Sequence, residues 1–529
     1  MVASFASGGI FAACDDVAQG ESDPRMNIGR RCTRLHSSSN SRYDYVIIGT
    51  STSAHAAVEA ILMRKPEAEV LIVSEEEKSG SQFADVYHAN VTSADLMSSY
   101  NEWRRHIITR LHTDSSKNIS AMIGENNIIV DACKSKLILQ NNSEVHFSKC
   151  LIATAGVKRQ FYNLDSAKIG NACMADRLNT LNDMSDFEQL ESIRDIIGCG
   201  HVVVVGGGML GTEVSSALAS RGMRVSQVYA ERVPLQRQLP YYLALEVQAR
   251  LLKIGVRPMP ERLVTAFDPV VDDPDDGASS IVEGEDAESG LMRLTVVGME
   301  RANLRCDYAV LASTHIDASV DPIDPQASGL EIDPKNGGIM VNAQLEALQN
   351  VFVAGSAASF YDTALGRRRV DRFDHAVNSG LAAGHNMTKE FANHDESLNM
   401  LYTHQPMFRN YMPAIDVICE AVGEIDSTLF RTVGVWQTTH GGQDEVLTEN
   451  ENSCLNRGIV YYLDDEDKIM GILLWNASDL LERSRETLRR QQKKRNVATS
   501  AQAFKRMIPL APESWLTVHE TRPTYVSLK

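Results

Sequence analysis

The segment that most constrains the fold is Val202–Glu213, because it joins an apolar strand to a glycine-rich turn and the start of a helix. Gly206 allows the tight turn, and Gly208 lets the backbone approach a pyrophosphate. Gly211 lets the new helix pack closely on the strand. The N-terminus of that helix offers unpaired N–H groups and a positive dipole end to phosphates. The segment therefore predicts a dinucleotide site.

A second strand, Arg224–Ala230, supports this prediction, because it ends at Glu231, which lies 20 residues after Gly211. A carboxylate at that distance binds the ribose 2′-OH of a dinucleotide. It would repel a 2′-phosphate, so the spacing favours NAD over NADP. The alternative is a glycine-rich turn between strand and helix that binds no ligand.

A degraded copy of the same unit comes earlier in the chain. An apolar strand at Tyr43–Ile48 leads into Gly49, and a second strand, Val70–Val73, runs into Glu75. Only the first glycine of the pattern is kept, because Ser51 and Ala54 stand at the second and third positions. Alanine is accepted at the third position, whereas Ser51 puts a side chain where backbone should approach phosphate. The unit is either a second dinucleotide site or a structural unit that has lost its nucleotide.

Composition narrows the class of protein. The 529 residues, 43% of them hydrophobic, suggest three or four globular domains. The nine cysteines are scattered and include no CxxC pair, which indicates reduced thiols and excludes the dithiol reductases. Their spacing also does not match a metal site, so none is expected. The net charge of −17 argues against a generally basic nucleic-acid-binding surface. No apolar run reaches the roughly 18 residues of a membrane helix, so we expect no integral membrane segment.

Residues 1–40 lack hydrophobic periodicity and are predicted to form a disordered leader. The part from Met26 onward is rich in Arg and Ser and has no acidic residue, as in a mitochondrial transit peptide. A plain flexible tail is the alternative interpretation.

The order of strands predicts that one domain interrupts another. Residues 127–133, 136–140 and 144–154 form a predicted meander that ends in an Ala-Thr-Ala-Gly turn at Gly156. A third glycine turn, at 350–358, would close the first dinucleotide site from its other side. The fold class is thus α/β, with two nested Rossmann-like domains and a further α/β domain. The predicted domains are 41–190 with 315–399, then 191–314 with an acidic loop at 267–290, and finally 400–529.

Several longer stretches are more specific than either glycine pattern, and through them the chain resembles the apoptosis-inducing factors, flavoproteins of the glutathione-reductase-like class. The similarity extends from about residue 43 to residue 480. The stretches are Leu71–Glu75, Lys149–Gly156, Val353–Val370, Asp374–Gly380, His404–Phe408, Thr432–Trp436 and Gly471–Asn476.

The resemblance implies an FAD domain in two pieces, an inserted NAD domain and a C-terminal dimerisation domain. It implies an FAD-dependent NADH oxidoreductase that forms a homodimer on reduction. It also implies a place in the mitochondrial intermembrane space, a protein partner in respiratory-chain assembly, and relocation to the nucleus in apoptosis, with DNA as a further partner.

By position, the resemblance assigns cofactor contacts but no catalytic side chain, since hydride transfer between stacked rings depends on position more than on a proton-transfer group. The expected FAD contacts are Gly49, Ser51, Thr52, Ser53, Glu75, Gly156, Gly355, Ser356 and Ala357. The expected NAD contacts are Gly206, Gly208, Met209, Leu210, Gly211, Glu213, Glu231, Arg237, Glu420 and Asn476. His375 is expected to be structural or adjacent to the flavin.

The chain departs from the family pattern mainly around the flavin. The basic segment after the first ribose carboxylate has no counterpart in 76–87, and Ser356 replaces the acidic residue that bonds the ribityl chain. Other replacements are Ser51, Asn182, Met209, Arg372, Phe373 and Arg409. These departures suggest a second hypothesis, an NAD-responsive scaffold or interaction protein that has lost tight flavin binding.

Two basic runs bear on the nucleic-acid partner. The turn at Gly366–Arg369 would contact DNA phosphates or a partner, or is simply a solvated turn. Arg489 and Arg490, with 493–495, would form a nuclear import signal, a DNA contact or an exposed helix end.

Overall fold

The computed structural model describes residues 41–74, 118–158, 177–181, 189–190, 192–193, 197–269, 292–298, 301–312, 316–362, 366–389, 400–437, 455–492, 501–512 and 515–522. Several predictions fall outside these residues. They are the leader at 1–40, Glu75, the segment 76–87, Asn182, most of the acidic loop and the basic run 493–495.

The first sheet is built around a parallel strand–helix–strand unit. Helix α1 (Thr52–Arg64) connects β1 to β2, which pair in parallel, and β6 lies parallel on the other side of β1. The predicted meander is present, with β4, β5 and β6 antiparallel and slightly shorter than expected. The described strands before residue 200 are β1 (Ser41–Ile48), β2 (Val70–Ser74), β3 (Ile119–Ile123), β4 (Ile129–Asp131), β5 (Lys136–Ile138), β6 (Glu144–Ile152), β7 (Val157–Lys158) and β8 (Leu178–Asn179).

The second sheet is five-stranded and parallel, in the order β11, β10, β9, β15, β8. Its central strand β9 is buried along its whole length, as expected for a valine-rich strand in a parallel sheet covered on both faces. Strands β12 to β14 form a separate antiparallel sheet. The elements are β9 (His201–Val205), α2 (Met209–Ser220), β10 (Arg224–Val228), α3 (Tyr241–Lys253), β11 (Val256–Met259), β12 (Leu263–Pro269), β13 (Met292–Val297), β14 (Arg301–Cys306) and β15 (Tyr308–Leu311).

The chain then returns to the first sheet, because β19 pairs in parallel with β6 and gives the order β18, β19, β6, β1, β2, β3. The nested arrangement expected for the fold class is confirmed. The elements are β16 (Ile316–Asp317), β17 (Ile339–Met340), β18 (Glu346–Leu348), β19 (Val351–Val353), β20 (Ala358–Asp362), β21 (Gly366–Arg368) and α4 (Phe373–Met387).

The C-terminal part is a six-stranded antiparallel sheet in the order β22, β23, β26, β25, β24, β27. Its buried Phe408, Trp436 and Trp475 share one hydrophobic core with Val214 of α2 and Leu243 of α3. The C-terminal sheet is therefore packed directly on the second sheet's helices. The elements are β22 (Met407–Met412), β23 (Val417–Gly423), β24 (Arg431–Gln437), β25 (Gly458–Leu463), β26 (Ile469–Trp475), α5 (Leu481–Gln492), α6 (Ala501–Met507) and β27 (Leu516–Thr521).

The predicted start of the acidic loop at residue 267 is wrong. Strand β12 continues to Pro269, and Phe267 is buried in a core with Val203 and Leu294. An aromatic side chain that can be buried outweighs the acidic and proline signals beside it, so the strand extends past the predicted boundary.

Candidate dinucleotide sites

The glycine turn of the second sheet has the geometry that its sequence predicted. Gly206 has a φ of +134°, and a Cβ there would lie 2.6 Å from the carbonyl oxygen of Ala312. Gly208 is the extended N-cap residue of α2. A Cβ on Gly211 would overlap the carbonyl oxygen of Gly206. Both Gly206 and Gly211 therefore have to lack a side chain for α2 to begin directly above β9.

The turn is also fastened by a residue that sequence reasoning missed. Gln227 is fully buried in β10, and its Nε2 donates to the carbonyl oxygen of Gly206 at 2.9 Å and to Thr212 Oγ1 at 3.2 Å. Thr212 in turn donates to the carbonyl oxygen of Gly208 at 2.9 Å. The signal for Gln227 was a polar residue inside an apolar strand.

Glu231 lies beside this turn, as its spacing predicted. Its Oε2 is 3.1 Å from the point that a Cβ on Gly207 would occupy, and the residue is exposed. The neighbouring Arg232 points to Glu261, with 3.2 Å between Nε and Oε1. An exposed carboxylate at a glycine turn fits a ribose hydroxyl, since carboxylates are strong hydrogen-bond acceptors.

A buried polar cluster joins α2 to the C-terminal sheet. Asn410 of β22 donates from Nδ2 to Glu213 Oε2 at 3.0 Å and to the carbonyl oxygen of Met209 at 3.2 Å. Arg409 and Glu420 form an ion pair at 3.4 Å beside it. Burial raises the pKa of Glu213 well above its usual value, and nearby Arg409 and Asn410 partly offset this effect.

Three acceptor atoms of this polar cluster lack a partner among the described residues: Glu213 Oε1, Asn410 Oδ1 and Glu420 Oε2. Buried polar atoms are nearly always hydrogen-bonded in folded proteins. The cluster therefore fits a ligand that supplies N–H or O–H donors, as the carboxamide of a nicotinamide does. Neither Asn410 nor the role of Arg409 here was expected from the sequence.

Two other predicted NAD contacts are engaged elsewhere. The Nε of Arg237 lies 2.8 Å from Asp426 Oδ2 of the C-terminal sheet's β23–β24 connection. The Asn476 amide accepts from the Ile418 N–H at 2.6 Å, and it donates to the carbonyl oxygens of Asp416 and Asn456, each at 2.9 Å. The Asn476 side chain thus joins backbone segments, whereas Arg237 fastens the loop that follows Glu231.

At the first sheet, Ser51 occupies the start of the helix. It is the N-cap residue of α1, and its Oγ accepts from the Ala54 N–H at 3.4 Å. The same hydroxyl donates to the carbonyl oxygen of Ala153 at 2.7 Å and lies 2.8 Å from Ser53 Oγ. Gly49 has a φ of +108° in the preceding turn. Ser51, Thr52 and Ser53 are all nearly fully buried.

The third glycine turn meets the first one, as predicted. A Cβ on Gly355 would overlap Ser53 Oγ, and Ser356 Oγ donates to the carbonyl oxygen of Thr154 at 3.5 Å. Ala357 is fully buried in the same short turn, and Gly156 lies half-buried at the end of the β6 turn. The structure therefore brings the turns at Gly49–Ser53 and Gly355–Ala357 together with Ala153 and Thr154, which follow β6, and Gly156 comes two residues after Thr154.

One hydroxyl at this junction tests whether a cofactor fits. Thr52 Oγ1, in the first turn of α1, is buried without a partner among the described residues. A free donor at a helix N-terminus is suited to a phosphate oxygen. The residues present therefore fit a phosphate-bearing group such as FAD, although Ser51 already uses part of the helix terminus.

Behind the Gly355 turn lies a buried group of rings. Burial lowers the pKa of His375 to about 3, so the ring is neutral at pH 7. Its Nε2 donates to the carbonyl oxygen of Gly355 at 3.2 Å, and Tyr402 donates to its Nδ1 at 2.7 Å. Phe360 stacks on it, with 4.9 Å between the ring centroids. His375 supports the turn, and no local signal marked Tyr402 as its partner.

No group of His, Cys, Asp or Glu side chains within the described ranges has the arrangement of a metal site. In the same part of the chain, no helix is both long and apolar enough to span a membrane.

Sequence comparison places the chain in a class of proteins. The profile described as pyridine nucleotide-disulphide oxidoreductase matches residues 43–380, which is more than half of the chain. The chain belongs to the pyridine nucleotide-disulphide oxidoreductase family. Members of this family use FAD and NAD(H) as cofactors. The protein is therefore an oxidoreductase.

Individual relatives narrow the similarity. "Apoptosis-inducing factor 1, mitochondrial" of Dictyostelium discoideum is 28% identical over 90% of this chain and 87% of its own length. "Putative apoptosis-inducing factor 1, mitochondrial" of Drosophila melanogaster is 26% identical over 87% of this chain, which spans 65% of that protein. These matches confirm the predicted resemblance to the apoptosis-inducing factors, and their low identity fits a divergent member.

A solved structure supports the fold. The crystal structure of the covalent putidaredoxin reductase–putidaredoxin complex superposes with a TM-score of 0.62 at 15% identity, covering 86% of this chain and 94% of that chain. At this identity the likeness concerns the fold alone.

Proposed function

We propose that the protein is an FAD-dependent NADH oxidoreductase. The observation that carries the proposal is the buried polar cluster at the start of α2, where Glu213, Asn410 and Glu420 each keep an acceptor atom without a partner in the described chain. This cluster lies one turn of α2 away from the glycine-rich loop that precedes the helix. A dinucleotide whose pyrophosphate lies on that loop would bring its nicotinamide to these acceptors.

Each part of the NAD site has a proposed task. The backbone from Gly206 to Gly211, including Met209 and Leu210, holds the pyrophosphate at the positive end of α2. Glu231 accepts a hydrogen bond from the adenosine ribose. Glu213 and Glu420 orient the nicotinamide carboxamide, while Arg237 and Asn476 keep the surrounding loops in place.

The FAD site is proposed at the junction of the three turns of the first sheet. Thr52, Ser53 and the α1 terminus hold the pyrophosphate, and Gly49 and Gly156 let the backbone pass close to it. Gly355, Ser356 and Ala357 border the ribityl side. When bound, FAD supplies the acceptor for a hydride from NADH. The protein's own contribution is to align the two cofactors, so no side chain of this chain transfers a proton in the proposal.

The test is NADH consumption by the FAD-supplemented full chain with an artificial electron acceptor. We expect FAD-dependent turnover, and we expect Gly211→Val to abolish it, because any side chain there would overlap the Gly206 carbonyl. Ser220→Gly, at the far end of α2, is the matched control. Turnover that is equal in flavin-free and in FAD-loaded protein would contradict the proposal.

One observation favours a second candidate, an NAD-responsive interaction protein with weak flavin binding. Ser51 caps α1 from within the chain and bonds Ala153, so part of the phosphate site is already satisfied. A chain that binds NADH but cannot be loaded with FAD would favour this candidate.

The similarity to two proteins named as mitochondrial apoptosis-inducing factors supports further proposals. These are a place in the mitochondrial intermembrane space, a partner in respiratory-chain assembly, a homodimer on reduction, and relocation to the nucleus during cell death. DNA binding has less support, because the predicted turn at 366–369 is mostly strand β21, where Arg368 pairs with Glu424, and the following Arg369 pairs with Asp371. Arg490 pairs with Glu486 on α5. Imaging of the tagged full chain tests the location.

A further inference from the structure

A single side chain of the C-terminal sheet reaches both ends of the first turn of α2. Asn410 is 2% exposed, and its Nδ2 donates to the Met209 carbonyl at 3.2 Å and to Glu213 Oε2 at 3.0 Å. Met209 is the first residue of α2, and Glu213, 7% exposed, lies one turn further on. Both donor hydrogens of the amide are therefore used to tie the helix start to its acidic residue.

This contact acts on the part of α2 that the proposed function uses. Met209 directly follows Gly208, which is proposed to bind phosphate. Glu213 is the buried carboxyl group that is proposed to contact the nicotinamide of NADH. A carboxyl group turns about its last bond unless a hydrogen bond fixes it. In this chain the fixing donor comes from a strand 197 residues away.

We propose that Asn410 is a positioning residue for NADH, which holds the Glu213 carboxyl group in the orientation that receives the nicotinamide. NADH affinity then depends on the docking of the C-terminal sheet against α2. The inference rests on the proposed function, because it takes the α2 terminus as the NADH site. Asn410 acts through Glu213 and Met209, and it has no part in the chemical step.

The charged groups near Glu213 come from the C-terminal sheet. Strand β22 brings Arg409, whose guanidinium attracts a charged Glu213, and β23 brings Glu420, which pairs with Arg409. The Asn410 amide and the nearby Tyr411 backbone also lower the pKa of the Glu213 carboxyl group, against the larger effect of burial. The neighbouring β10 contributes the neutral Gln227, which bonds Gly206 and Thr212 instead.

Asn410→Asp is the informative variant because it has the same shape and loses both donors. It also places a second carboxyl group about 3 Å from Glu213, where two carboxyl groups can share one proton. That shared proton restores one hydrogen bond as the pH falls. We therefore expect NADH binding to be about tenfold weaker than wild type at the upper end of a titration from pH 8 to pH 6, with the loss becoming smaller as the pH falls.

Asn386→Asp is a matched control. Asn386 is also 2% exposed, and its Nδ2 also donates to two carbonyl oxygens, those of Gln344 at 2.9 Å and Met400 at 3.0 Å. It belongs to α4 in the first-sheet unit, away from α2. The control therefore carries the same loss of buried hydrogen bonds without touching Glu213.

The measurement is NADH titration of the full chain, followed by fluorescence, across this pH range. Weaker, pH-dependent binding in Asn410→Asp but not in Asn386→Asp supports the inference. Equal NADH affinity in wild type and Asn410→Asp at every pH overturns the inference.

Two further variants serve if Asn410→Asp does not fold. Unchanged NADH affinity in Asn410→Ala overturns the inference. A loss of affinity in Asn410→Ala that is smaller in Asn410→Ser supports it. A wild type that binds NADH yet never reduces FAD contradicts the proposed function while leaving this inference standing.

Discussion

The hydroxyl group of Ser51 donates a hydrogen bond to the carbonyl oxygen of Ala153 across 2.7 Å, joining the turn after β1 to the turn after β6. The same oxygen caps the N-terminus of α1. In a dinucleotide site of this kind, the second glycine leaves that space to a phosphate. In the proposed FAD site, the Ser51 side chain therefore competes with the pyrophosphate of FAD.

Ser51→Gly is expected to tighten FAD binding, because it removes the competing hydroxyl and restores the close backbone approach. Losing the cap costs only a few tenths of a kcal/mol, since glycine is also tolerated at this position. We expect at least a severalfold lower Kd in a flavin-fluorescence titration. Ser220→Gly is the control for a serine-to-glycine change, and an unchanged or weaker FAD affinity in Ser51→Gly would count against the competition.

Glu231→Ala is expected to weaken NADH binding by about 1 to 3 kcal/mol, the value of hydrogen bonds to a carboxylate. NADPH binding should change little or improve, because the variant no longer repels a 2′-phosphate. Calorimetric titration with both nucleotides measures the difference. Glu261→Ala, an exposed carboxylate that pairs with Arg232, serves as control. Unchanged NADH affinity in Glu231→Ala would refute the ribose role.

Gly380→Ala is expected to destabilise the first-sheet unit. A Cβ at Gly380 of α4 would overlap the carbonyl oxygen of Ser53 and force α4 away from α1. Overpacking of this kind costs about 1 to 3 kcal/mol. Denaturant unfolding measures the loss, with Asn378→Ala on the exposed side of α4 as control. Wild-type stability in Gly380→Ala would show that the two helices are not in close contact.

The free energy of unfolding should fall as the pH drops below the ordinary pKa of a histidine side chain. His375 contributes to that fall. Its pKa is about 6.5 in the unfolded chain and about 3 in the folded protein, because burial disfavours the charged ring. Between these values the unfolded chain binds the extra proton, so stability is present above pH 6.5 and is lost as the pH falls.

His375→Gln removes this contribution. Between pH 7 and about pH 5.5, its free energy of unfolding should fall by about 1 kcal/mol less than that of wild type. Denaturant unfolding at the two pH values gives the difference, with His146→Gln on β6 as control. An identical pH dependence in His375→Gln and wild type would contradict the assignment.

The local parts of this fold could be predicted from the sequence. The turns at Gly206 and Gly49 follow from glycines at fixed spacing next to apolar strands, and Glu231 lies where its distance along the chain places it. Such features depend on neighbouring residues, whose geometry is set by the backbone.

The contacts of the C-terminal sheet could not be predicted in the same way. Asn410 meets Glu213 and Asp426 meets Arg237 across nearly two hundred residues, and their register depends on how two domains pack. Asn476 was expected to reach the nicotinamide because of the family resemblance, yet its amide bonds the backbone of its own sheet. A local pattern carries no information about such pairings.

We propose that electrons pass from NADH at α2 to FAD at α1. The most direct test is the visible absorption spectrum of the full chain, loaded with FAD and freed of excess, before and after NADH is added without oxygen. We expect the absorption bands of oxidised flavin, followed by their loss on NADH addition. A colourless protein after loading, or flavin bands that NADH leaves unchanged, would contradict it.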